Sequence, residues 1–122
     1  MLDHLSIPCN DIKAASAFYD AALKPLGYTR LMDFGDAMGY GAAQKPAFWL
    51  GAGKATPGKG LHICFAAQSR AAVDAFYAAA IGAGGRDNGT PGLRPHYHAN
   101  YYGAFVFDLD GYAIEAVCHK PE

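Results

Sequence analysis

The chain has 122 residues, is 52% hydrophobic and carries 10 basic against 11 acidic side chains, a formal net charge of −1. That is the length of one domain with apolar material for a real core, and the balanced charge offers no footprint for nucleic acid or an anionic membrane surface. Apolar runs are broken by Gly, Asp or Lys well short of the roughly 20 residues a membrane-spanning helix needs, so the expected partner is a small-molecule substrate or another protein, with no nucleic acid and no membrane.

In chain order, Leu2 to Pro8 predicts a strand, after which Asn10 or Asp11 can cap a helix through a side-chain oxygen. Ala15, Phe18, Tyr19, Ala22, Leu23 and Leu26 then recur with helical spacing and form one apolar face, closed by Gly27. Short strands are predicted around Thr29 to Phe34, Met38 to Ala43 and Ala47 to Gly51, separated by glycine or proline. Residues 52–60 have the composition of a linker. The cycle restarts at Leu61, with Ser69 as cap and Val73, Phe76, Tyr77, Ala80 and Ile81 as the buried face of a second helix. A short strand near Arg86 and a Pro, Gly and His-rich loop from Asn88 to Asn100 precede two strong strands, Tyr101 to Asp108 and Tyr112 to Cys118.

The halves are copies. His4 and His62 head the two units at an offset of 58 residues, and the same offset matches Ala17, Phe18, Tyr19, Ala21, Ala22 and Gly27 with Ala75, Phe76, Tyr77, Ala79, Ala80 and Gly85. Helix-core matches follow from packing alone; a polar histidine matched at the head of each strand does not. The pattern predicts an α+β fold of two tandem βαβββ modules, about residues 1–54 and 61–122, within one domain spanning 1–122.

Side chains alternate along a strand. His4 therefore shares a face with Ser6, His62 with Cys64 and Ala66, and Glu115 with Ala113 and Val117, while Ile7, Ile63, Phe65 and Ile114 point to the opposite faces. If Asp108-Leu109-Asp110-Gly111 is a three-residue hairpin loop with Gly111 at positive φ, Phe105 lies across from Glu115, Gly103 from Val117 and Tyr101 from His119. A lone His or Glu in a strand is usually exposed or structurally satisfied. Two repeat-equivalent histidines and a carboxylate amid small side chains are different, because burying them is costly unless they are paired or bind metal. Two imidazoles and a carboxylate suit a divalent metal ion such as Zn, Ni, Mn, Co or Fe, so His4, His62 and Glu115 are the candidate ligands. His96, in the loop, reads as a solvated rim residue, His119 as surface near the chain end, and Phe48 and Trp49 as core. The cysteines Cys9, Cys64 and Cys118 are odd in number and lack metal-finger spacing; with an opening Met-Leu-Asp-His that reads as strand, they lead us to expect a cytoplasmic protein.

Paired βαβββ units with His on the first and fifth strands, and a hydrophobic strand bearing Glu after an Asp-x-Asp-Gly turn, resemble the vicinal oxygen chelate superfamily, which includes glyoxalase I, extradiol dioxygenases, fosfomycin-resistance enzymes and bleomycin-binding proteins. The most specific stretch is Tyr101 to Val117, where the chain resembles the small glyoxalase-like branch. The resemblance implies a sheet-lined cavity, a divalent metal on His4, His62 and Glu115, and a homodimer. With it we expect a metal-dependent lyase or isomerase acting on a small substrate with adjacent oxygens, with Glu115 catalytic and Tyr101, Phe105 and His98 contacting substrate. An extradiol dioxygenase-like iron enzyme and a non-enzymatic ligand-binding protein are the alternatives. Leu109 stands where the family commonly has a turn proline. The fourth strand offers Phe48, Trp49 and Leu50 in place of an acidic or amide ligand, and Phe105 replaces the tyrosine of the fosfomycin branch, so neither standard glyoxalase I nor fosfomycin turnover is expected.

Overall fold

The computed structural model describes residues 1–58 and 60–122. Each half is a four-stranded sheet with a helix. In the first, β1 (Leu5–Cys9) is followed by α1 (Ile12–Leu23), a 3-10 turn over Lys24–Leu26, β2 (Thr29–Asp33), β3 (Ala37–Ala42) and β4 (Lys45–Ala52). The second repeats this with β5 (His62–Ala66), α2 (Arg70–Gly82), β6 (Arg86–Leu93), β7 (Tyr102–Phe107) and β8 (Ala113–Cys118). The sheet orders are β1-β4-β3-β2 and β5-β8-β7-β6, the first strand of each module pairing parallel with its last.

Local chemistry explains the helices. Asp11 and Ser69 sit extended at the two N-caps and accept hydrogen bonds from the amides of Ala14 and Ala72, at 3.1 and 3.0 Å. Asn10, the other candidate cap, instead accepts from the Ala55 amide at 2.7 Å and ties down the connection between modules. Gly27 closes the first helical segment at φ 85°, a conformation that needs glycine.

The helices meet each other and cover one face of each sheet. Ile7, Met38, Tyr40, Phe48 and Leu50 from the first sheet, Ile63, Ala104, Val106, Ile114 and Ala116 from the second, and Phe18, Leu23, Val73 and Phe76 from the helices form one continuous buried cluster. Full burial of a Phe or Leu side chain contributes about 1.5–3 kcal/mol, so this shared core binds the modules together. A polar tie reinforces it: Tyr19 on α1 donates its phenolic hydrogen to Asp108 in the β7–β8 turn, and Tyr112 donates to the Pro8 carbonyl at 2.7 Å.

Two expectations need correcting. Ile81 is 37% exposed because it lies off the α2 stripe made by Val73, Phe76 and Ala80. The strand near Arg86 runs to Leu93, into the stretch read as loop, because bulges at Asp87/Gly89 and Gly89/Gly92 carry it past Pro91. The last hairpin adopts the expected register, with Phe105 opposite Glu115 and Gly103 opposite Val117, and Gly111 takes φ 93° in the turn.

Candidate metal centre

The uncovered face of the second sheet gathers the chemistry. His62 heads β5, and Glu115 sits in the middle of β8 as the register partner of Cys64. Glu115 is 1% exposed although it is a carboxylate on the side away from the helices. His62 Nε2 lies 2.8 Å from Glu115 Oε1, yet not in line for a hydrogen bond, and Oε1 is left buried without a donor. The other oxygen, Oε2, accepts the Tyr101 phenol. Gly103 makes this bond possible, since a Cβ there would stand 3.2 Å from both Oε2 and the Tyr101 ring.

The acid also shapes its neighbours. Burial, then the hydrogen bond and charge of Glu115, push the Tyr101 phenol above its ordinary range. Burial followed by the same carboxylate pushes the Cys64 thiol up to about 12, so it is a neutral rim group at pH 7.

Phe105 brings its ring within 6.2 Å of the His62 ring, and beside His62 opens a cleft of about 440 Å³ walled by Leu61, Phe107 and Ala113. His98 lies with Nε2 2.6 Å from His119 Nδ1, their rings stacked at 4.6 Å. Both rings meet Tyr101 edge-on, at 5.4 and 5.3 Å, and Tyr97 meets it at 4.9 Å. His119, although exposed, therefore buttresses the tyrosine that orients Glu115. The expected register of the last hairpin pointed to this meeting of Tyr101 and His119; His98, expected to contact substrate, also packs on Tyr101 and against His119.

His4 goes elsewhere. Its Nδ1 is 2.7 Å from Asp3, its side chain is 58% exposed, and it lines a separate depression of about 370 Å³ with Met32, Lys45, Pro46 and Trp49. Among the described residues, no three His, Cys, Asp or Glu side chains lie close enough to hold a metal ion. The expected convergence of His4 with His62 and Glu115 is thus not made within one chain. The reason is topological: among the described residues β1 pairs with β4 and β5 with β8, and the modules meet through their helices and the helix-covered sheet faces, leaving the two histidine faces apart. Trp49 also differs from expectation. It lies on the His4 face, not in the core, over Gly39 and parallel to the exposed ring of Phe34 at 6.1 Å.

The donor set fits a cation in part. A buried carboxylate oxygen with no donor, faced at 2.8 Å by an imidazole nitrogen, is what two adjacent ligands of a divalent ion present to their metal. Among the described residues, this face offers no third protein ligand.

Two tandem βαβββ modules, each a four-stranded sheet covered on one face by a helix, define the class of α+β protein to which the chain belongs. The model of the Glyoxalase/Bleomycin resistance protein/Dioxygenase superfamily matches residues 1–116, and the chain belongs to that superfamily. Among solved structures it is similar to a glyoxalase/bleomycin resistance protein from Albidiferax ferrireducens T118, with 32% identity, TM-score 0.84 and 97% of each chain covered. It also shares the fold of a glyoxalase/bleomycin resistance protein/dioxygenase family enzyme from Burkholderia phytofirmans PsJN, at 22% identity and TM-score 0.76 over 98% of each chain. A glyoxalase-related enzyme from Fulvimarina pelagi has the same fold at 16% identity and TM-score 0.74, over 97% of this chain and 87% of that one. No curated protein matches the chain. Among the described residues, no helix is long and apolar enough to cross a membrane.

Proposed function

We propose that this chain is a metal-dependent enzyme catalysing a glyoxalase-like isomerase or lyase reaction on a small substrate with adjacent oxygens. We propose further that each centre is completed between two copies, His4 of one joining His62 and Glu115 of the other. The observation that carries this reading is Glu115 Oε1, buried without a donor and faced by His62. The isolated His4 face, with Phe34 67% and Met32 40% exposed around Trp49, supports the second copy.

When bound, a divalent ion would supply Lewis-acid polarisation of substrate oxygens. The chain's own residues do the rest. Tyr101 holds its proton at Glu115 Oε2, which fixes the carboxylate and leaves Oε1 free as the donor atom. Glu115 is the acid-base group of this face, with Tyr101 as its proton-bearing neighbour. Phe105 beside His62 and Trp49 beside His4 supply apolar walls that exclude water.

Metal analysis of protein purified without a histidine tag, with His62→Ala alongside, tests the reading. Stoichiometric divalent metal, lost in the variant while the melting temperature holds, is the expected result. Unchanged metal binding with a collapse in stability would show His62 to be structural. Bound iron with oxygen-dependent ring cleavage of a catechol would move the assignment to the dioxygenase alternative.

A further inference from the structure

Arg94 was assigned nothing by its sequence pattern, and its setting is unusual. Its Nη2 donates to the Thr90 carbonyl at 2.7 Å and its Nη1 to the Gly92 carbonyl at 2.9 Å, while Cζ stands 5.2 Å from the centroid of Phe105. Phe105 is the residue across from Glu115, and its other neighbour is the His62 ring at 6.2 Å. One aromatic ring therefore separates a fixed cation from the His62–Glu115 pair.

The strand is shaped around this guanidinium. The β6 bulges fall at Gly89 and Gly92. A Cβ at Gly89, where φ is 148°, would come 2.9 Å from the Phe105 ring and 3.2 Å from Arg94 Nη2, and one at Gly92 would come 3.2 Å from Nη1. Yet this half-buried arginine has no acidic partner among the described residues, in contrast to Arg30, which pairs with Asp20 at 2.5 Å and Asp33 at 3.1 Å. Stacking on a ring accounts for the position of a cation, but not for backbone carbonyls that lock it while three of its N–H groups find no acceptor among the described residues.

We propose that Arg94 is a substrate-anchoring residue that receives the distal carboxylate of a dianionic or carboxylate-tailed substrate whose adjacent oxygens lie at the His62–Glu115 pair. A guanidinium presents paired N–H donors that match a carboxylate in plane, and the flanking aromatic surface lowers the local dielectric and strengthens the bond. This names the substrate class for the function proposed above and rests on that reading for the position of the substrate's other end.

The test uses 2-oxoglutarate and 2-oxopentanoate, which share a 2-oxo acid head and differ in the distal carboxylate. Each is titrated into the full chain, zinc-loaded and chelator-treated, with the NMR signals of the Arg94 Nε–H and the His62 ring read together. We expect 2-oxoglutarate to shift both signals in the zinc-loaded protein and to bind about tenfold more tightly than 2-oxopentanoate, the size of one charge-assisted hydrogen bond. Arg94→Gln should abolish that preference without weakening 2-oxopentanoate, and Arg94→Lys should restore it in part. An Arg94 response to 2-oxoglutarate that persists without any His62 response would uphold the carboxylate subsite while removing the metal-centre reading. Equal affinities for the two acids, a preference that Arg94→Gln retains, or no Arg94 response would overturn the proposal.

Discussion

The two modules share one topology and one register, and they differ where it matters. Ser6 pairs with Trp49 and Trp49 with Gly39; at the corresponding places of the second module Cys64 pairs with Glu115 and Glu115 with Phe105. One module thus sets a large indole over a glycine beside His4, while the other sets a buried carboxylate beside His62 with a phenylalanine as wall. The scaffold occurs twice, and only the second copy carries an acid at this place, Glu115 where the first has Trp49. The consequence is an asymmetric pair of faces, one carrying His62 beside Glu115 and the other His4 with Trp49.

Removing the acid is the largest expected break in that asymmetry. Glu115→Gln should lower zinc affinity by about 100-fold or more, read by competition with a chelating dye, since it removes the charged ligand and leaves only imidazole. Tyr101→Phe, which frees Oε2 without touching a ligand, should cost about tenfold in the same assay with the melting temperature nearly unchanged. An equal loss of stability in Tyr101→Phe would mean that the phenol serves the fold and not the centre. Trp49 in place of an acid predicts that metal-loaded protein turns over the methylglyoxal-glutathione hemithioacetal with kcat/KM below the roughly 10⁴ M⁻¹s⁻¹ low end of ordinary enzymes; a higher value that Glu115→Gln abolishes would show that the indole leaves glyoxalase I chemistry intact.

A smaller effect comes from the seam between modules. Tyr19→Phe should cost about 1–3 kcal/mol in urea unfolding, because buried Asp108 loses a donor. Tyr19 is also held protonated well above its ordinary value of 10.0, by burial first and by Asp108 next. A group whose folded pKa is raised contributes stability that is fully present below the unfolded value and is lost as pH rises through the folded one. Unfolding experiments should therefore show stability falling as pH climbs above about 10, with Tyr19→Phe falling less steeply; parallel curves would remove Tyr19 as the source.

Much of the His62–Glu115 face was legible in the sequence. Period-two alternation predicts His62, Cys64 and Glu115 on one face, and a three-residue reading of the Asp-Leu-Asp-Gly turn predicts the register, observed in the structure, that brings Phe105 across from Glu115. The destination of His4 was not legible, because alternation fixes a face within a strand and says nothing about which sheet another module presents to it. Trp49 was read as core because an aromatic in a strand usually is; Gly39 beneath it is the cue that it lies on an open face. Arg94 stayed hidden because Pro91 and two glycines disguised a bulged strand as loop, and the contact of His98 with His119 because the two lie on different elements.

The claim that each centre joins His4 of one copy to His62 and Glu115 of another is tested most directly by mixing two inactive variants. His4→Ala and Glu115→Gln each lack one donor, so each alone should bind little zinc. After subunit exchange, half of the dimers are mixed and each mixed dimer regains one intact centre, so the mixture should recover roughly one quarter of wild-type sites. Recovery near that level supports a centre shared between copies; no recovery despite proven exchange, with the wild type still binding metal, would contradict it.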